Sequence, residues 1–146
     1  MRRTLLPVAA LVLGLTAAGC SSEQETYCQA VEEHQPELTD IAASAEPGAV
    51  LDALDAYRDL REQAPDDLRD EWTQVVTRLE ALRGALDDAG VDPASYDPKV
   101  TPEELAQDDR RAVESAARAL GETATIKAMG GIEQQALDVC GTPLSQ

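Results

Sequence analysis

The sequence predicts an all-α protein: a compact bundle of about four to five helices, closed by one disulfide, after an N-terminal signal helix. Two observations lead to this fold class. Apolar residues after residue 27 recur at intervals of three and four, the spacing that gives a helix one buried face. No stretch of useful length alternates apolar and polar residues as a half-buried strand does.

The first predicted helix runs from Tyr27 to about Ala45 and contains Pro36. A proline inside a helix removes a backbone donor and clashes with the preceding turn, so a kink or a break near residue 35 is expected. Residues 46–48 form a turn, and a second helix then continues to about Ala64. The apolar positions of these two helices are Tyr27, Cys28, Val31, Leu38, Ile41, Ala42, Val50, Leu51, Leu54, Tyr57 and Leu60.

The third predicted helix, from Pro65 to about Ala89, has the most regular pattern. Proline suits the first position of a helix, and Asp66 and Asp67 suit its positive N-terminus. Gly90 stands just past the end, where glycine commonly terminates a helix. Its apolar stripe consists of Leu68, Trp72, Val75, Val76, Leu79, Leu82 and Leu86.

Residues 91–100 form the one long connection, in which two Asp-Pro pairs favour turns. The sequence Thr101-Pro102-Glu103-Glu104 predicts the capped start of a fourth helix that continues to about Leu120. Gly121 separates it from a fifth helix, Glu122 to Cys140. The apolar positions of the last two helices are Leu105, Ala112, Val113, Ala116, Leu120, Ile126, Met129, Ile132, Ala136, Val139 and Cys140.

The N-terminal segment has the layout of an export signal. Arg2 and Arg3 precede an apolar run from Leu5 to Ala18, and small residues lead to Cys20. A basic start, a short apolar stretch and a small-residue cleavage site are typical of such signals. Residues 1–19 are therefore predicted to be removed.

The residues Ala17-Ala18-Gly19-Cys20 resemble the lipobox of bacterial lipoproteins, a family that prefers Leu, Val or Ile where Ala17 stands. In that family the cysteine thiol receives a diacylglycerol, and a dedicated peptidase cuts before the cysteine. The resemblance implies a lipid on Cys20, an anchor in the cell membrane and an extracytoplasmic location. In its excess of Arg over Lys and its lack of Phe, the composition resembles that of small actinobacterial lipoproteins of unknown function.

Three alternatives to this interpretation stay open. An ordinary secretion signal could carry an incidental cysteine. The apolar run could be a transmembrane helix, although it has fewer than the roughly 18 residues that a span needs and contains Pro7 and Gly14. The two arginines leave the export route open between the general and the twin-arginine pathway.

The mature chain would consist of a lipidated cysteine with a short polar tether, residues 20–26, and one acidic helical domain, residues 27–146. Because Arg2 and Arg3 are the only charged residues before Cys20, their removal changes the formal net charge from −16 to −18. This charge excludes nucleic acid as a partner, since phosphates are bound by clustered Lys and Arg.

Two cysteines remain once Cys20 is assigned to lipid. An exported chain most simply pairs them, so Cys28 and Cys140 are predicted to form a disulfide. Free thiols or a catalytic cysteine are the alternatives. A catalytic cysteine needs a base, and the only histidine, His34, lies six residues from Cys28 and therefore on another side of the same helix.

The disulfide constrains the topology, because it needs two Cα atoms within about 7 Å. Five helices joined by short reversals would place Cys28, at the start of the first helix, and Cys140, at the end of the last, at opposite ends of the bundle. We therefore expect the connection of residues 89–100 to run the length of the bundle. The third and fourth predicted helices would then be roughly parallel.

Three groups of residues have the chemistry of a functional site. His34 has acidic neighbours, but no further histidine or free cysteine accompanies it, so a hydrogen-bonded structural role is favoured over a metal site. The aspartates of residues 87–97 lack the spacing of a calcium loop and suit caps and turns. Trp72 and Tyr57 could form a ligand platform, but both fall in apolar stripes, which predicts core packing.

The sequence contains no recognised catalytic, metal-binding or cofactor-binding motif, which predicts a protein that is not an enzyme and takes no cofactor. The predicted function is an anchored interaction or accessory module that acts on an exported protein partner. A small solute-binding protein or a cell-envelope enzyme is the alternative. A concave, partly apolar pocket with convergent polar groups would favour that alternative.

Overall fold

The computed structural model describes residues 20–46, 48–97, 99–100 and 104–146, and all regular elements in these ranges are helical. The all-α fold class is confirmed, and the predicted signal helix lies outside the described residues. A 3-10 turn spans Pro93–Ser95, and a π-helical turn spans Ala136–Cys140. The described helices are α1 (Cys20–Ala43), α2 (Ala49–Asp52), α3 (Leu54–Gln63), α4 (Arg69–Asp88), α5 (Gln107–Leu120) and α6 (Thr123–Gln135).

Neighbouring helices in the first part of the bundle run in opposite directions. The beginning of α1, at Ser22 and Thr26, lies beside the end of α3, at Glu62 and Gln63. Helix α3 also packs against α4, and Arg58 Nε donates a hydrogen bond to a Glu80 carboxylate oxygen at 2.9 Å. The chain therefore passes down α1, back along α3 and down again along α4.

Helix α6 runs opposite to α4. Going backwards along α4, Arg78 pairs with Glu122 at 3.6 Å. Gln74 then donates a hydrogen bond to the Thr125 hydroxyl at 3.2 Å. Finally, a Cβ at Gly131 would meet the Glu71 side chain at 3.9 Å. These successive contacts place the end of α6 beside the beginning of α4, which is the end of the bundle that holds Cys28.

Helix α5 also runs opposite to α4. Tyr96, in the connection after α4, feels the charge of Glu114 in the middle of α5, whereas Glu122, just past α5, contacts Arg78 in the middle of α4. The prediction of parallel helices and a connection that crosses the bundle is therefore wrong. Gly121 interrupts the helix but does not reverse the chain, so α5 and α6 follow one another along α4 and fill one position of the bundle.

The predicted disulfide between Cys28 and Cys140 is present, with Cα atoms 5.1 Å apart. The described helices occupy four positions in the bundle: α1, α2 with α3, α4, and α5 with α6. An even number brings both cysteines to the same end without a crossing connection. The residues after Cys140 then return along α1, where Gln35 Nε2 donates a hydrogen bond to the Pro143 carbonyl at 3.2 Å.

Trp72 stands at the centre of the core with none of its surface exposed. Its Nε1 donates a hydrogen bond to the Tyr27 hydroxyl at 3.1 Å, which joins α4 to α1. Its ring lies 5.4 Å from the ring of Tyr57, at 60°. Every predicted position of the third helix, from Leu68 to Leu86, is buried, which confirms that stripe.

Helix α1 differs from the prediction at both Cys20 and Pro36. It begins at Cys20, so residues 21–26, predicted as a polar tether, are helical. Six helical residues span about 9 Å, whereas six extended residues span about 20 Å. A kink or a break was expected near residue 35, and the helix continues through Pro36 without a break, because Val31 and Leu38 are buried on either side and hold both halves against the core.

Three other helix boundaries differ from the predicted ones. The second predicted helix is divided at Ala53 into α2 and α3. Helix α4 begins at Arg69, after a turn in which Leu68 N donates to the Pro65 carbonyl at 3.0 Å. The fourth predicted helix begins at Gln107 instead of residue 101. Residues 101–103 lie outside the described residues, and an earlier start would have added only Leu105 to its apolar face.

Replacing Gly48 or Gly84 by alanine is expected to change the free energy of unfolding in opposite directions. A Cβ at Gly48 would lie 2.0 Å from the Pro93 carbonyl oxygen, so Gly48→Ala is expected to force the two turns apart and cost about 1–3 kcal/mol. A Cβ at Gly84, inside α4, meets nothing within 4 Å. Gly84→Ala is therefore expected to raise the free energy of unfolding by up to about 1 kcal/mol, because alanine favours the helix more than glycine does. Urea unfolding measures both; a Gly48→Ala variant as stable as the wild type would contradict the contact.

Candidate binding cavity

A cavity of about 620 Å³ lies between α4 on one side and α2, α5 and α6 on the other. This volume falls within the range of about 300–1,000 Å³ that is typical of ligand sites. Most of the lining is apolar. The apolar side chains that line it are Val50, Leu51, Val75, Leu79, Leu82, Ala117, Leu120, Ile126 and Met129.

The cavity exists because small residues stand where helices meet. Gly48, Ala117, Gly121 and Gly130 all line it, and none of them supplies side-chain volume beyond a methyl group. Gly121 ends α5, and the next residue, Glu122, is extended with φ −65° and ψ 143°. Protein interiors are close-packed unless side chains are too small to fill them, so the break between α5 and α6 leaves this space open.

Among the described residues, four polar side chains also line the cavity: Tyr57, Tyr96, Thr125 and Glu133. The Thr125 hydroxyl is already engaged, because it donates to the Ala119 carbonyl at 2.9 Å and accepts from Gln74. The two tyrosine hydroxyls make no hydrogen bond with the described part of the chain. Of the described residues in the lining, Glu133 alone carries a charge.

Both tyrosines are held in the protonated form. Burial raises the pKa of Tyr57 above its ordinary value, and the negative charge of Glu133 raises this pKa further. Burial likewise raises the pKa of Tyr96, with smaller contributions from Asp97 and Glu114. Each phenol can therefore donate a hydrogen bond to a ligand at neutral pH.

Two apolar residues at the cavity are exposed, contrary to their predicted place in the core. Val50 is 48% exposed and Ile126 is 62% exposed. Both belong to helical stripes, but nothing in the described part of the chain covers them. Three further predicted apolar positions, Ala42, Ala112 and Val139, are also exposed.

His34 lies outside the cavity, between α1 and α3. Its Nε2 lies 2.8 Å from an Asp59 carboxylate oxygen, and its Nδ1 lies 3.5 Å from a Glu37 oxygen. The hydrogen bond with His34 is the main cause that lowers the pKa of Asp59. The hydrogen bond expected of His34 is present, and its contacts join two helices.

The aspartates of the long connection shape its turns. Asp92 accepts a hydrogen bond from the Ala94 backbone at 3.0 Å, and Asp97 accepts one from the Lys99 backbone at 2.8 Å. These are the turn contacts that the sequence favours over calcium binding. Within the described ranges, no group of three or more His, Cys, Asp or Glu residues is placed to hold a metal ion.

Cys20, the predicted site of lipid attachment, is the first residue of α1. It lies seven residues before the buried Tyr27, on the side of the bundle that holds the disulfide. Lipid attachment itself stays a prediction. Among the described helices, none combines the length and the apolar character that crossing a membrane requires.

Comparisons with models of protein families, with curated proteins and with solved structures find no match for this chain.

Sequence patterns did not point to Tyr96, Thr125 or Glu133, three of the polar residues that line the described part of the cavity. They belong to different elements, and only the fold brings them together. The available signal was the small residues: Ala117, Gly121 and Gly130 share one side of the α5–α6 segment, where a core-facing helix would normally carry larger side chains.

Proposed function

We propose that this protein is an exported lipoprotein, anchored through Cys20, whose acidic helical domain acts without catalysis as an interaction or accessory module. Its place is the outer face of the cytoplasmic membrane. The observation that carries this proposal is the signal-like segment that ends in Ala-Gly-Cys at residues 18–20. In keeping with this proposal, Cys20 belongs to the first turn of the described part of α1, seven residues before the buried Tyr27.

The anchor would orient the domain. Because Cys20 and Cys28 both lie in α1, the disulfide end of the bundle would stay about 12 Å from the lipid attachment point, given a rise of 1.5 Å per helical residue. The opposite end, with the turns at Gly48 and Pro93–Ser95, then faces away from the membrane. This end is the surface most accessible to an exported partner.

Lipidation is tested by the change Cys20→Ala. The mature wild-type protein is expected in the membrane fraction with a mass increased by acyl groups, since two or more chains give stable anchoring. The variant is expected to be released or to keep its signal segment. Intact-mass measurement of both, and of a Cys28→Ala/Cys140→Ala control that keeps the anchor, decides the point. A mature wild-type protein with an unmodified Cys20 would contradict the proposal.

A second candidate function, extracytoplasmic solute binding, is favoured by the cavity. Its lining is largely apolar and contains two phenols that can donate and one carboxylate that can accept hydrogen bonds. These groups can orient a ligand, which is the arrangement of a binding site. The chain's histidine lies elsewhere, between two carboxylates, so the cavity favours binding over acid–base catalysis.

A further inference from the structure

We propose that the cavity binds an amphiphile with one aliphatic chain and a cationic head group, such as an alkyl ammonium, with the chain inside the cavity and the head at Glu133. This proposal names the ligand class for the second candidate function and rests on it. It does not depend on lipidation at Cys20.

The apolar lining determines the body of the ligand. Leu51, Val75, Leu79 and Leu82 form the inner surface on α2 and α4, and their aliphatic side chains offer no hydrogen bonds. A ligand gains there mainly by removing methylene groups from water, which is worth roughly a fourfold increase in affinity per buried methylene. An aliphatic chain uses such a surface fully, whereas a sugar or a peptide backbone would leave polar groups unpaired.

The charges determine the head group. In the described part of the chain, Glu133 is the only charged residue that lines the cavity, and no Lys or Arg does so. Glu133 is exposed, so its carboxylate stands at the opening rather than inside. It lies close enough to Tyr57 for its charge to act on that phenol. A head group at this position meets one carboxylate and the Tyr57 hydroxyl, which together suit a hydrogen-bond-donating cation.

The whole chain reinforces this preference. Its formal net charge is −16, so the surrounding potential attracts cations and repels carboxylates and phosphates. Fatty acids and anionic lipids would therefore bind more weakly than a cationic amphiphile of the same chain length. The competing occupants are an uncharged amphiphile, an apolar protein segment and a second copy of this chain placed on the exposed Val50 and Ile126.

The test uses the full chain in membrane vesicles and three photoactivatable probes. Each probe has the same twelve-carbon chain with a diazirine, and the head is an amine, a hydroxyl or a carboxylate. After irradiation, mass spectrometry locates the labelled residues. The amine probe is expected to label α4 and α6 around Leu79 and Met129, and this labelling should saturate. Of the three probes, the amine should label at the lowest concentration and the carboxylate at the highest.

Two variants separate the contributions of chain and head. Glu133→Gln is expected to lower the amine's preference over the hydroxyl probe about two- to fivefold, as for an exposed ion pair, and Glu62→Gln on α3 is its control. Gly130→Leu is expected to reduce labelling by all three probes. A Cβ at Gly130 meets nothing within 4 Å, and Gly84→Leu on α4, where the same holds, is the matched control.

Several outcomes would overturn the proposal. They are equal labelling by the three probes, labelling spread over the exposed surface, and unchanged labelling in a Gly130→Leu variant that forms its disulfide and melts cooperatively. A dimer crosslinked through Val50 and Ile126, with an unlabelled cavity, would show that a second copy is the occupant. The mass of the peptide that contains Cys20 reports lipidation separately, so the ligand proposal and the anchor proposal can fail independently.

Discussion

Replacing both disulfide cysteines, Cys28→Ser with Cys140→Ser, is expected to lower the free energy of unfolding by about 4–5 kcal/mol. The two residues are 112 apart in sequence. In the chain-entropy model, a crosslink over about 100 residues lowers the conformational entropy of the denatured chain, and this destabilises the denatured state by the same amount. Since small domains have a total stability of roughly 5–15 kcal/mol, the variant is expected to unfold at much lower urea concentration.

Urea unfolding followed by Trp72 fluorescence measures the effect, because the chain has one tryptophan. The wild type in the presence of a reducing agent is the natural control and should match the double-serine variant. A decrease of less than about 1 kcal/mol in the free energy of unfolding would contradict this expectation. It would show that the bond adds little to the native contacts between α1 and the end of α6, or that the reduced chain stays compact when it is denatured.

The change Trp72→Ala is expected to cost about 3–5 kcal/mol, the usual range for removing a large buried aromatic side chain. It leaves a void between α1, α3 and α4 and also removes the partner of the buried Tyr27 hydroxyl. Trp72→Phe keeps most of the volume and isolates the second effect, an unsatisfied buried hydroxyl that costs about 1–3 kcal/mol.

Circular dichroism during urea unfolding is the measurement, since these variants lack the fluorophore. The control is Trp72→Phe combined with Tyr27→Phe, which removes both polar partners together. The double variant should lose less than the sum of its single changes. Strictly additive losses would contradict the role of the Trp72–Tyr27 hydrogen bond.

Helix α4 shows what the sequence could predict. Its stripe from Leu68 to Leu86 continues over five turns, and burial follows directly from that spacing. The disulfide was equally accessible, because compartment and number of cysteines suffice to pair Cys28 with Cys140. Both predictions depend only on local periodicity or on composition.

The topology could not be predicted in the same way, because Gly121 has two possible effects. A glycine between two helical stripes can mark a reversal or only a change of direction, and the stripes on either side look the same in both cases. The choice is made by contacts with α4, namely those of Glu122 and Thr125. The fate of Pro36 was decided similarly, by burial of residues on both sides of it.

The cavity depended on the same undecided step. Tyr57, Tyr96 and Glu133 come from three separate parts of the chain, and they share a lining only because α5 and α6 follow one another along α4. Periodicity assigned Ile126 and Val50 to the core, since a helical stripe does not reveal whether another element covers it. Local pattern therefore predicted the helices but not the space between them.

The disulfide has a mechanical consequence for a chain held at Cys20. A pulling force applied at Gln146 passes through the last residues to Cys140, across the sulfur–sulfur bond to Cys28, and along the first turns of α1 to the anchor. Residues 29–139 lie outside this covalent path. If Cys20 is anchored as proposed, tension between it and the C-terminal tail would peel the tail from α1 and stretch the first turns of that helix, while the bundle itself carries almost no load.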